Sequence, residues 1–516
     1  VPLPDVARIV PQPLAKGDGM SPLRWIALGL GCGAILLCPG AATAQGYRIR
    51  IETRVQSAAF RGVTTDSILP SQALAGPSGG LVTPDGIAVT CLSEVCRFFR
   101  PGPIQRGGPL VTRVDLVGWG FGIPGLTVRA SVRHATDLAS NDVWPAVTPA
   151  VQLIEGLAEY VRGPLTVRGG RQVIDGRLGS YGLDGGSAAV RIPGTGLDMA
   201  VYGGWGLARA TALPVTSDAL NPLDDFQPRD RQIVAGAEVG WRPGFVDVRG
   251  EYRREVDPAT DFFVSERVAL STSARPFSRL ILTAGGEYDI AMGQTGSAEA
   301  SATFIHDWAT VTAMVRRYRP FFDLWTIWGA FSPVPYHAYS AHLTVRPLPG
   351  VTLSGRGERY AFENADAETG LTDVQDDGWR WNARATWSPT VDWDLAGGIH
   401  AELGPGASSR GFDARATRRF GPDMHLSVEG GRLERPLEFR FDEATVYWVG
   451  ADAEARLADR WRFGVQVARY NEARDRPDAA AFDWNQVRLN ARITVQLGSE
   501  TDRAWLPPRI GRGGRR

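Results

Sequence analysis

Catalysis and metal binding need particular side chains at particular spacings, and this 516-residue chain offers few of them. Its six histidines, His134, His306, His337, His342, His400 and His425, are scattered. His337 and His342 stand five residues apart, on opposite faces of a strand. The sequence contains no His-Glu-x-x-His pair, no Walker loop and no Gly-x-Ser-x-Gly elbow. The Gly-Trp-Gly-Phe-Gly run at 118–122 reads as a glycine-rich strand end, not a phosphate loop. Glu155 and Glu159 point the same way along one strand, a pairing that acid–base chemistry could use. With Arg129 and Arg168 expected on neighbouring strands, the two carboxylates read instead as part of a charge ladder. The chain is therefore read as a non-enzyme, with no cofactor and no metal.

What the charged residues share is a period of two. Arg113, Asp115, Arg129, Glu155, Arg249, Glu251, Glu287, Arg356, Glu358, Arg384, Glu402, Arg415, Glu429, Glu454, Arg488 and Arg492 each stand at an alternate position of a strand-like segment. They are the candidate pore wall. Charged rings in a watery lumen filter ions by sign, but both signs interleave along this chain, so its order alone indicates no selectivity. Two connections stand out for length and bulk. The first, Arg61–Gly108, carries Cys91 and Cys96 followed by Phe98, Phe99 and Arg100. Cys91 and Cys96 can close a small disulfide in an oxidising compartment. The second, Arg316–Phe331, is unusually apolar and holds Arg316, Arg317, Arg319, Trp325 and Trp328. Arginine forks pair with carboxylates and indole rings stack on sugars, so these five are the candidate entrance. At least one of the two connections is expected to fold over or into the lumen and narrow it.

The elements that must position these groups are long strands. In the segment near the C-terminus Val487, Leu489, Ala491, Ile493, Val495 and Leu497 alternate with Gln486, Arg488, Asn490, Arg492, Thr494 and Gln496. Ile49, Ile51, Thr53 and Val55 alternate with Arg48, Arg50, Glu52, Arg54 and Gln56. Such segments reach the roughly 9–11 residues that a tilted membrane strand needs. Short Pro- or Gly-bearing turns alternate with longer loops. Trp119, Trp241, Phe245, Phe277, Trp308, Trp387, Trp393, Phe420 and Trp461 flank the short turns, as an interfacial aromatic girdle would. The fold predicted is all-β: a closed antiparallel transmembrane barrel of about 22 strands, with 18 or 20 as alternatives because Ser187–Ile192 and Leu197–Gly206 are weakly patterned. Short turns belong on the periplasmic side and long loops outside.

Composition agrees. The 56 basic and 56 acidic residues cancel, which excludes a strongly basic nucleic-acid binder, and four cysteines make no disulfide scaffold. Residues 1–44 read as an upstream segment plus a signal peptide, with the apolar stretch Trp25–Leu37 and a cut after Ala44. The barrel is expected over 45–498, and 499–516 as a basic, disordered periplasmic tail. The expected surroundings are the outer membrane of a Gram-negative-type bacterium. Expected partners are its lipid, small solutes, and a homo-oligomeric or periplasmic partner, with no nucleic acid.

The stretch Val167-Arg168-Gly169-Gly170-Arg171-Gln172, followed by Gly176, resembles the Gly-Arg-Gln strand motif of alginate-export-like substrate porins. The resemblance covers one hairpin. It implies an outer-membrane pore for diffusion of acidic sugars or small carboxylates. Such barrels usually stop at an aromatic residue of the last strand, whereas this chain runs on from Leu497 to Arg516. The alternative function is a scaffold barrel that sheathes a partner protein, either an electron conduit or a secretion component.

Overall fold

A strand with one apolar and one polar face must be paired along both edges before lipid can accept its backbone. The computed structural model describes residues 46–76, 80–92, 94–139, 150–210, 225–258, 262–319, 335–363, 377–404, 407–434, 444–474 and 484–498. The segments expected as signal peptide and tail lie outside the described residues.

The first strand, β1 (Gly46–Ile68), is followed by the short β2 (Leu74–Ala75), β3 (Leu81–Val82) and β4 (Thr90–Leu92), then β5 (Val95–Gly107). Next come β6 (Pro109–Trp119), β7 (Leu126–Asp137), β8 (Val151–Arg162), β9 (Leu165–Gly176), β10 (Gly179–Ile192), β11 (Leu197–Ala210) and β12 (Asp225–Trp241). The middle of the chain forms β13 (Val246–Asp257), β14 (Phe262–Phe277), β15 (Leu280–Asp289), β16 (Gln294–Ile305), β17 (Ala309–Tyr318), β18 (Tyr336–Leu348) and β19 (Val351–Phe362). It ends with β20 (Asp377–Thr390), β21 (Trp393–Gly404), β22 (Ala407–Arg419), β23 (Met424–Glu434), β24 (Ala444–Ala458), β25 (Trp461–Arg474) and β26 (Trp484–Gly498).

Strands β1 and β6–β26 form a closed antiparallel barrel of 22 strands. Closure is made by β1 with β26, from Arg48↔Gly498 to Ser57↔Leu489. It leaves no lipid-facing sheet edge at the seam. The ten short turns read from the sequence join β6–β7, β8–β9 and so on to β24–β25, all at one rim. We call the opposite end the long-loop rim.

The two faces differ as the alternation requires. Val201, Leu270, Ile399 and Val449 are about half exposed on the outward, lipid-facing side. Trp241, Phe245, Phe277, Trp308, Trp387 and Trp461 are exposed beside the short turns. Trp119 departs from the expected girdle. It pairs with Gly46 and lies on the polar face, where its ring occupies the space a side chain on Gly46 would need.

One sector departs from a regular wall. Glycines line up across three strands as Gly170↔Gly185↔Gly204 and Gly169↔Gly186↔Gly203. Gly170 has φ 122°, and a Cβ there would run into the Gly156 carbonyl, so only glycine fits. Above these rows pairing is lost on both flanks. β8 pairs with β9 only as far as Gly156↔Arg171, and β11 with β10 only from Gly182↔Leu207. The β9–β10 hairpin itself stays paired to Gly176↔Gly179. Glycine rows kink a sheet, and here they let one hairpin leave the wall.

Candidate functional site

Directly paired residues share a face, so the registers carry one face around the whole barrel. Starting from Glu52, which stands opposite Arg113, and Arg54, which stands opposite Arg492, the inner face can be followed strand by strand. All sixteen candidate wall residues fall on it.

Most of them sit in ion-pair clusters that bridge strands. Glu159 receives Arg129 at 3.1 Å and Arg168 at 2.6 Å. Arg113 bonds Asp115 at 2.8 Å, and Arg249 meets Glu238 at 3.0 Å. Glu358, fully buried, takes Arg316 at 2.8 Å, Arg356 at 2.7 Å and the Arg380 Nε at 2.7 Å. Tyr360 donates to Glu402 at 3.1 Å, and Arg384 meets Asp413 at 3.2 Å. Arg415 links Glu429 at 3.0 Å with Asp452 at 2.7 Å. Arg492 meets Glu454 at 2.5 Å, Arg267 meets Glu287 at 3.8 Å, and Arg488 lies over the Tyr470 ring. Such networks hold the wall rigid, and low dielectric on the protein side strengthens them.

The signs that interleave along the chain are sorted around the barrel. On β26, β1, β6 and β7 the inner face carries Arg48, Arg50, Arg54, Arg113, Arg129, Arg133, Arg488 and Arg492. Among the described residues of these four strands within the barrel wall, below the β1–β5 ribbon, the acids on that face are Glu52, Asp115 and Asp137. The sector β12–β16 lies roughly half-way round in strand order. Its inner face has Glu238, Glu251, Glu255, Glu287, Asp289 and Glu299 in excess over its arginines, among them Arg249, Arg253 and Arg267. The basic sector escapes a reading of the sequence because β26 and β1, at opposite ends of the barrel sequence, become neighbours only when the barrel closes.

The departing hairpin folds inward over β11 and β12 towards this acidic sector. The backbone N–H groups of Arg177 and Leu178 donate to the two carboxylate oxygens of Glu251 on β13, at 2.8 and 3.1 Å. The Arg177 guanidinium meets Glu299 on β16 at 3.0 Å. Arg267 on β14 reaches the Leu178 carbonyl at 3.5 Å. Behind the turn, Tyr181 lies under Arg253 at 4.9 Å, and Leu183 and Val234 pack together with no exposure, flanked by Ile174 and Tyr202. The turn has four residues and no aromatic or acidic group, so nothing in its composition marks it; the glycine pairs that release it are the available signal.

The candidate entrance separates. Arg316 is on the inner face of β17, within cation–π distance of Tyr336 (5.4 Å). Arg317 is on the opposite face and pairs with Glu363 at 2.6 Å, beside His337. Neighbouring residues of a strand cannot converge on one solute. At the rim, the Arg319 backbone N–H bonds the Gly296 carbonyl at 3.1 Å. Trp325 and Trp328 lie outside the described residues.

The long first connection stands up as a ribbon. β1 and β5 continue the β1–β6 register without a break from Val55↔Leu110 through Ala58↔Gly107 to Arg61↔Ile104. At its tip the Cys91 and Cys96 sulfurs are bonded at 1.94 Å across β4–β5. Ile87, Cys96 and Phe98 are buried there as a satellite core, and Arg100 pairs with Asp66 at 3.1 Å.

The sequence matches no family model and no curated protein. Solved structures do match. A mutant ferric enterobactin receptor of Pseudomonas aeruginosa, in complex with enterobactin, has a TM-score of 0.53 at 10% identity, covering 89% of this chain and 82% of that one. The copper transporter OprC scores 0.44 at 11% identity, over 89% of this chain and 81% of that one. OccAB2 of Acinetobacter baumannii scores 0.37 at 9% identity, over 89% and 100%. At such identities the receptor shows fold alone, and that fold is the closed antiparallel barrel of bacterial outer membranes.

Proposed function

We propose that the protein is an outer-membrane channel through which small hydrophilic solutes diffuse, with acidic sugars and carboxylates favoured. The observation that carries this reading is the arginine-rich inner wall on β26, β1, β6 and β7. A run of guanidinium groups along one side of a watery path offers bidentate sites that a carboxylate can move between. The short-turn rim then faces the periplasm and the long-loop rim the exterior, the usual arrangement for such barrels. The Glu358 cluster, in which Arg316, Arg356 and Arg380 surround one carboxylate, has Tyr318, Tyr336 and Tyr360 beside it and adds ring faces for sugar stacking near the outer rim. A sheath around a partner protein is less favoured, because the β9–β10 hairpin occupies space a threaded partner would need.

The test is single-channel recording of the purified barrel in planar bilayers under a salt gradient. A reversal potential on the anion side, with faster uptake of a uronate than of a neutral sugar into loaded vesicles, is the expected result. Cation selectivity, or no conductance, would overturn the reading.

A further inference from the structure

We propose that the turn Gly176–Gly179 is the constriction that decides which solutes pass, and that Glu251 is the positioning residue that holds it inside the lumen. The inference deepens the channel reading and rests on it.

Wall strands of a 22-strand barrel enclose a wide interior, so a channel that discriminates needs something projecting into it. This turn is built for that position at three levels. It is released from the wall, because pairing stops at Arg171 on one flank and Gly182 on the other. The gap this opens is tied off locally. Arg171 forks onto Asp184 with two bonds of 2.6 Å and spends its remaining nitrogen on the Leu153 carbonyl at 2.7 Å, on the part of β8 that β9 no longer pairs. The turn is also received. Two successive backbone N–H groups converge on one carboxylate, the cradle by which a peptide nest binds an anion. Both partners are cut to fit: a Cβ on Gly176 would strike the Glu251 carboxylate, and a Cβ on Gly285 would strike the Arg177 guanidinium. Finally, it is backed, since Tyr181 and Leu183 bury their side chains against the β11–β13 wall and set the angle of the hairpin.

The clasp is electrostatic and adjustable. Charge-assisted bonds from two amides and one guanidinium hold four residues on an acidic wall. Removing one carboxylate takes away two of the three.

The measurement compares wild type, Glu251→Ala and Arg177→Ala in planar bilayers, reading conductance and the size of polyethylene glycol excluded from the open channel. Glu251→Ala is expected to raise conductance by about 1.5-fold or more and admit larger polymers, with Arg177→Ala a smaller change of the same sign. Asp459→Ala, a short-turn carboxylate, changes neither. Unchanged conductance and cut-off in Glu251→Ala would overturn the proposal. A second variant covers poor insertion: Gly176→Cys with Glu251→Cys, in a Cys91→Ser, Cys96→Ser background. Its cross-link, detected by mass spectrometry, should hold conductance at the wild-type value, and reduction should raise it. Failure of the cross-link to form would overturn the inward seat. A cross-link that forms in the double-cysteine variant, together with a wild-type barrel that never conducts, would remove the channel reading and leave the seat standing.

Discussion

The ribbon of β1 and β5 and the hairpin of β9 and β10 rise from the same rim and do opposite things. The ribbon spans almost fifty residues, carries a disulfide and several aromatics, and continues its wall register as it leaves the barrel. The hairpin ends in a turn of four residues and folds inward onto Glu251. Length and bulk, the features that suggested a constriction, do not turn the first long connection out of its register as it leaves the wall, and most of the second lies outside the described residues. A register that runs on from wall to ribbon, here as far as Arg61↔Ile104 before a bulge, carries the ribbon out of the wall, because each added pair satisfies two backbone groups. A hairpin turns inward where glycine rows allow the kink and where an acceptor waits a few strands further round the inner wall.

The sharpest way to break this comparison is at the hinge. Gly170→Ala places a Cβ against the Gly156 carbonyl at a φ of 122° that non-glycine residues rarely adopt. The expected cost is roughly 3 kcal/mol, from backbone strain plus disturbance of the rows above it. It should be seen as a lower urea midpoint for the refolded barrel. Gly163→Ala, in a short turn at φ 56° with open space around it, should cost about 1 kcal/mol. Equal midpoints for the two variants would mean that the glycine rows are not the hinge.

The same glycines explain what could be read from the sequence. Alternation and the ten short turns were legible because every regular strand repeats the apolar–polar code, and the 22-strand barrel follows from them. Ser187–Ile192 and Leu197–Gly206 were the weakly patterned segments: Ser187, Ala188 and Ala189 have side chains too small to alternate clearly, and Gly203, Gly204 and Gly206 have none. The glycine rows where the hairpin departs pass through the second and border the first. Which charged residues share one face was also legible, because face depends only on parity along each strand. The partners were not, as with Glu159 gathering both arginines expected to be shared with Glu155. Azimuthal sorting of charge was out of reach for a different reason: it is a property of closure.

A middle-sized effect tests that sorting. Arg54→Glu with Arg492→Glu reverses two charges on the basic sector, which the registers place as direct neighbours. The reversal potential should move towards cations, with the anion preference falling about threefold. Arg317→Glu is the contrast, because that side chain lies on the other face with Glu363. It should leave selectivity near wild type while weakening the rim. Grouping Arg316, Arg317 and Arg319 as one entrance predicts instead that Arg317 matters as much as Arg316. A selectivity change in Arg317→Glu as large as in the double variant would restore that grouping and count against the face assignment.

The smallest effect belongs to the ribbon. The disulfide joins residues only five apart, and in the chain-entropy account a short closed loop restricts the unfolded chain little, about 2 kcal/mol or less. Ile87 and Phe98 remain packed when it opens, so the tip keeps part of its core. Cys91→Ser with Cys96→Ser should therefore leave the urea midpoint of the barrel almost unchanged, because the barrel wall below Ser57 does not depend on the tip. Conductance should be the same with and without the bond. What should change is local: faster cleavage between Ile68 and Val95 by protease added from the outer side, as the β4–β5 pairing opens more often. The contrast with Glu251→Ala is the point of the measurement. Loosening a ribbon that stands on the rim alters its digestion and not the current, whereas loosening a hairpin that lies in the path alters the current. An altered conductance in the cysteine-free barrel would place the ribbon over the lumen and make the two structures alike in function.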